Sequence, residues 1–175
     1  MIKSLFTRRI FKVFSSLVLG VILLVACTGG YSFSGGDVGG AKTITILQFP
    51  NYAPLINPTL SQEFTEGLRD IFIVRTDLVA EREDGDLIFE GSIQDYRIQY
   101  ISAQANETSA QNRLTITVNV VFTNQLEPDK SFESKFSRFK DYNSDQSLSE
   151  VEASLVSEMV EELAEDIFNR SVVNW

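Results

Sequence analysis

Four cations, Arg97, Arg113, Lys135 and Arg138, fall in stretches of alternating polarity, beside a row formed by Thr115, Thr117 and Asn119. Guanidinium forks on an uncovered strand face suit phosphate or carboxylate. Such a face could meet an anionic ligand or the polar wall of a partner, although an ordinary exposed face gives the same pattern. Arg138 shares its parity with Phe132 and Phe136, which leaves its direction open. Bond-making chemistry has little to draw on. The chain has no histidine, the commonest general base and metal ligand, and no glycine loop with phosphate-binding spacing. A Ser–Lys nucleophile pair could use only Lys42, Lys130, Lys135 or Lys140 once the leader is set aside. No enzyme and no cofactor are expected; the rival reading is a hydrolase working through Asp95, Glu107 and Lys135. The acidic run Glu81, Glu83, Asp84 and Asp86 lacks the spacing that wraps oxygens around calcium, so it reads as a solvated turn. Asn106-Glu107-Thr108 matches a glycosylation sequon by chance.

Cys27 offers a different chemistry. Lys3, Arg8, Arg9 and Lys12 precede an apolar run from Val13 to Val25, then Ala26 and Cys27. A basic segment, a short apolar core and a small residue before the cut describe a signal peptide over residues 1–26. The core falls short of the roughly 20 residues a membrane span needs. Leu24-Val25-Ala26-Cys27 resembles the bacterial lipobox, in which the cysteine takes fatty acyl chains, palmitate among them, and becomes the first mature residue. Several chains on one cysteine anchor a protein nearly permanently, at about 0.8 kcal/mol per buried methylene. With the only cysteine acylated, no disulfide is available and packing alone must hold the domain together.

Cleavage there leaves 149 residues, enough for one domain. Four of the 15 basic residues lie in the leader, leaving 11 against 24 acidic ones and a formal charge of −13. That balance disfavours nucleic acid and gives no general attraction to anionic lipid. Six of the ten glycines fall between Gly29 and Gly40, so residues 27–41 read as a tether with a reach of roughly 20 Å. Tyr31 and Phe33 lie on one side of that tether, either incidentally or as a contact with the domain or a partner.

The domain, residues 42–175, must then position the cations. Thr43 to Phe49 alternates as a strand, and Asn57-Pro58 starts a helix whose apolar stripe is Leu60, Phe64, Leu68 and Ile71/Phe72. Gly67 within it marks a close approach to the sheet. Leu87 to Tyr100 is a second strand whose parity changes, so a bulge is expected near Gln94-Asp95. In the third strand Leu114, Ile116, Val118, Val120 and Phe122 face one way and polar residues the other, which implies a sheet covered on one side. Ser131 to Lys140 supplies a fourth strand. Ser147 and Glu150 form a capping box ahead of a long helix with stripe Leu148, Val151, Leu155, Met159, Leu163 and Ile167. Glu158, Glu161, Glu162, Glu165 and Asp166 crowd its later turns, where the helix dipole disfavours negative charge; they form a solubilising face or a docking face for a basic partner. The expected fold is α+β, a two-layer sandwich of a four-stranded, largely antiparallel sheet with two helices on one face, in the order β-α-β-β-β-α.

Several stretches together resemble the LptE family of lipopolysaccharide-assembly lipoproteins, in a version distant from the enteric one. They are Tyr31-Ser-Phe-Ser-Gly35, Asn57 to Glu66, Phe89-Glu-Gly91, Ala105 to Thr108, Asn112 to Val118, Asp166-Ile-Phe168 and Asn174-Trp175. The resemblance implies the same fold and a domain held at the outer membrane, facing the periplasm. It also implies a role as plug and assembly partner of the LptD β-barrel in lipopolysaccharide transport and cell-envelope biogenesis, with lipopolysaccharide a further candidate ligand. Thr28 after the acylated cysteine, with no aspartate there, agrees with outer-membrane sorting. The alternative is a periplasmic lipoprotein that binds another envelope component, such as peptidoglycan, and has no barrel partner.

Overall fold

The computed structural model describes residues 38–101 and 110–173, all within one compact unit. The elements are β1 (Thr43–Ile46), α1 (Leu60–Arg75), β2 (Val79–Ala80), β3 (Leu87–Ile101), β4 (Gln111–Asn124), β5 (Phe132–Asn143) and α2 (Leu148–Phe168). Helix α2 runs on into a π-helical turn, Asn169–Val173. The fold is the expected α+β sandwich of two helices on one sheet face, with two differences in the sheet. It has five strands in the order β2-β1-β3-β4-β5, since two-residue β2 is too short to leave an alternation. It is also mixed, because β1 pairs in parallel with both β2 and β3 while β3, β4 and β5 form an antiparallel meander.

Parallel pairing on both sides of β1 obliges the chain to cross that strand between β2 and β3. Residues 81–86 make the crossing, on the face away from the helices. Gly85 packs so closely there that a Cβ would lie 2.7 Å from the Thr45 nitrogen. Gly85 N–H donates to Thr45 Oγ1 at 3.0 Å, and Asp86 Oδ2 accepts from the N–H groups of Lys42 and Thr43 at 2.8 and 3.0 Å. Those two donors and the Thr43 hydroxyl hold the Asp86 carboxyl below its ordinary value of 3.8, the Lys42 N–H most of all. The segment expected as a solvated turn is therefore a strap; Glu81, Glu83 and Asp84 are exposed, while Gly85 and Asp86 anchor it.

The parity change in β3 is a bulge, with the register to β4 shifting between Ile93 and Asp95. Ile93 and Tyr96 both face the core as a result, and both are fully buried. Aromatic rings carry that core across the sheet. Phe72 of α1 packs on Phe89 at 4.8 Å and on Phe168 at 5.1 Å, and Phe89 meets Phe122 at 4.7 Å. Burying each such ring contributes about 1.5–3 kcal/mol. Val38 and Ala41, within the stretch expected as tether, also pack on the core.

Local chemistry sets the helix starts. Asn57 Oδ1 accepts the N–H groups of Thr59 and Leu60, each at 3.0 Å, and so orders the approach to α1. The helix begins at Leu60 with Thr59 as its N-cap, two residues later than Asn57-Pro58 suggested. Glu150 accepts the Ser147 N–H at 2.8 Å, the reciprocal half of the capping box. Gly67 faces α2 rather than the sheet, since a Cβ there would lie 2.6 Å from Val160 Cγ1. Gln48 to Pro50 belongs to no strand; α1 holds this stretch instead, with Thr65 Oγ1 accepting the Phe49 N–H at 3.1 Å and Ser61 donating to its carbonyl at 2.6 Å.

Candidate functional site

Strands β3, β4 and β5 present one face to the helices and leave the other uncovered among the described residues. The register aligns the open face in rows: Gln99, Arg113 and Asp141; Arg97, Thr115 and Phe139; Asp95, Thr117 and Ser137; Ser92, Asn119 and Lys135. The structure thus brings together three of the four cations singled out by sequence. Arg113 donates two hydrogen bonds to Asp141, at 2.7 and 2.8 Å, and its guanidinium lies 3.8 Å over the Phe139 ring. Each partner stabilises the charge of the other, so the Asp141 carboxyl is lowered and Arg113 raised. Arg97 pairs with Asp95. Thr117 and Ser137 share a 2.9 Å hydroxyl contact, and Asn119 donates to Glu133 at 2.9 Å. Exposed Lys135 has no ion pair among the described residues.

Arg138 does not belong to this face. It points to the helix side of β5, where it donates to Asp166 of α2 at 2.8 and 2.6 Å. The hydrogen bond to Asp166 raises its pKa. Neighbouring Lys140 bridges Glu158 at 3.1 Å and Glu162 at 2.7 Å, and Arg75 of α1 meets Glu165 at 2.5 Å. The crowded acidic turns of α2 therefore find cations within the domain itself, and these offset the unfavourable helix dipole.

Asp95 and Lys135 stand on adjacent rows of the open face and on strands separated by β4. Glu107, the Asn106 sequon and Cys27 lie outside the described residues. Among the described residues no cluster of three or more His, Cys, Asp or Glu is placed to hold a metal, and no helix is long and apolar enough to cross a membrane.

Two features escaped the sequence. Fully buried Tyr96 donates from its hydroxyl to Glu152 at 2.5 Å, and Asn57 donates to the same oxygen at 2.9 Å. Burial first, then the Glu152 bond, pushes the Tyr96 phenol up, so it stays a donor. The second is the stacking of Phe139 beneath Arg113; the strand parity of both residues carried that signal.

Among curated sequences none matches the chain significantly. Of solved structures, a putative neuraminyllactose-binding hemagglutinin homolog from Helicobacter pylori superposes with a TM-score of 0.53 at 8% identity, covering 77% of this chain and 84% of that one; this likeness is one of fold. Rare lipoprotein B from Shewanella oneidensis gives 0.43 at 16% identity, over 73% and 92% of the two chains. A minor lipoprotein from Acinetobacter baumannii gives 0.45 at 12%, over 75% and 90%. The family profile described as "LptE: Lipopolysaccharide-assembly" matches residues 41–171, nearly the whole described domain, and the chain belongs to the LptE family.

Proposed function

We propose that this protein is an outer-membrane lipoprotein, anchored through acylated Cys27, that serves as plug and assembly partner of an LptD-type β-barrel. Its docking surface is the open face of β3, β4 and β5. The observation that carries this reading is the composition of that face. Arg113 and Arg97 are answered by Asp141 and Asp95, and hydroxyl and amide groups fill the rows between. A broad, internally neutralised polar surface fits the polar interior wall of such a barrel. A cationic patch would be drawn to head groups instead. By filling the lumen the domain would stabilise the folded barrel by mass action, and no bond-making step is needed.

Contact with lipopolysaccharide would fall to Lys135, because Arg113 is engaged by Asp141 and Arg97 by Asp95. Co-purification of the natively lipidated protein in mild detergent tests the assembly role. A stoichiometric outer-membrane barrel supports it; the lipoprotein alone, or with peptidoglycan fragments, overturns it.

A further inference from the structure

The helix layer carries a second surface. The two helices run in the same direction: Asn57, just ahead of α1, bonds Glu152 near the start of α2, and Arg75 at the end of α1 pairs with Glu165 near the end of α2. They approach closely where Gly67 meets Val160, a Cβ on Gly67 lying 2.6 Å from Val160 Cγ1. On their solvent side they leave an open groove of about 640 Å³. Its floor is apolar and mostly small, with Gly67, Ile71, Val160 and Ala164, and Val74 stands at one end, 81% exposed. Its rim is acidic: Glu63, Glu66 and Asp70 follow one another at helical spacing on α1, and Glu161 faces them from α2. Arg75, the cation among the lining residues, is engaged by Glu165.

We infer that this groove is a docking site for a basic amphipathic helix of a partner protein. An apolar floor between carboxylate walls complements an aliphatic stripe flanked by lysine or arginine, the helix-in-groove mode of recognition. Anionic head groups and phosphates are repelled by the same walls. The groove runs from Glu63 to Arg75 on α1 and from Ala153 to Ala164 on α2. At 1.5 Å per residue that is about 16–18 Å, three turns of an incoming helix. The four rim carboxylates do not meet the cations of β5, which serve Glu158, Glu162 and Asp166 instead. The groove lies opposite the open sheet face, so both surfaces can be occupied at once.

The test uses the full-length lipidated chain in an uncharged detergent, with a fluorescent amphipathic Leu/Lys helix as probe and anisotropy as readout. Micelle partition of the probe is common to every variant, so differences report the groove. Ala153→Trp, at an exposed groove position, and the charge-removing pair Glu66→Gln with Asp70→Asn should each weaken binding at least tenfold. The control pair Glu81→Gln with Glu83→Gln removes the same charge from the strap and should change it less than twofold. Ser157→Trp serves as a second filling variant should the first lose its fold by circular dichroism. Equal losses for groove and strap variants, or full binding to a filled groove, would overturn the inference in favour of general attraction to an acidic protein.

Discussion

Arg138 of β5 and Asp166 of α2 form a two-point pair, Nε to Oδ2 at 2.8 Å and Nη2 to Oδ1 at 2.6 Å, that pins the last helix to the sheet edge. Glu162 approaches the same guanidinium at 4.0 Å and also meets Lys140 at 2.7 Å, linking the pair to its neighbours in one network. Both side chains of the pair remain more than 30% exposed, so solvent screens the attraction. Asp166→Asn should cost about 0.5–1 kcal/mol in urea unfolding, with the deficit shrinking at high salt. A loss near that of a core truncation would show that the pair is more deeply desolvated than its exposure implies.

Gly67 and Val160 should behave as a coupled pair. Gly67→Ala gains about 1 kcal/mol of helix propensity, yet its Cβ would sit 2.6 Å from a β-branched methyl. Overpacking of this kind costs about 1–3 kcal/mol, so the single variant should be destabilised. Adding Val160→Ala should recover most of that loss. A double-mutant cycle in urea measures the coupling; additive effects would contradict the close helix approach.

Acid should loosen the strap. The carboxyls of Asp86, Asp141 and Glu150 are lowered in the fold, by the Lys42 N–H, the Arg113 guanidinium and the Ser147 N–H respectively. A lowered carboxyl contributes stability that is complete above its unfolded value, 3.8 for aspartate and 4.5 for glutamate. That contribution is lost as pH falls through the depressed folded value. Unfolding free energy should therefore decline on acidification from about pH 5 to pH 3, and Asp86→Asn should flatten part of that decline while lowering stability at neutral pH. Lys140 works in the opposite sense. Glu162, then Glu158, raise it above 10.5, so its contribution is complete below that value and is lost as pH rises through the folded pKa.

The Tyr96 hydroxyl binds Glu152 from within the core. Tyr96→Phe keeps the ring and removes the donor, leaving Glu152 with Asn57 as its remaining partner from the loop side. Hydrogen bonds to charged groups contribute about 1.5–3 kcal/mol, so a loss of about 2 kcal/mol is expected. An unchanged melting temperature would show that water replaces the phenol.

How much of this was legible before the structure depends on the kind of signal. Alternation along β4 assigned both sheet faces, because a strand's period of two separates them residue by residue. The parity break near Gln94-Asp95 located the bulge, and the 3.6-residue stripe with its capping box located α2. Strand direction left no such mark, since alternation reads the same for parallel and antiparallel neighbours. The parallel pairing of β1 and the strap it requires therefore went unread, and two-residue β2 carries no period at all. Gly67 announced a close approach, but the sheet was the wrong partner; it is Val160 of α2 that meets it. Arg138 and the acidic turns of α2 were both visible in the sequence, on elements separated by a turn whose length does not say which faces will meet. Their pairing is a product of the tertiary fold. The open face was expected to offer hydroxyls, amides and guanidiniums to a ligand or a partner wall; Arg113 and Arg97 lie on it, where cross-strand Asp141 and nearby Asp95 neutralise them, which only the register reveals.

The most direct test of the docking account places a photo-crosslinking amino acid at Thr117, in the middle of the open face, and at Ser134, on the opposite side of the neighbouring strand, in cells that assemble the native complex. The account predicts a crosslink from Thr117 to an LptD-type barrel and none from Ser134. A crosslink confined to Ser134, or none to any barrel from either position, would contradict it.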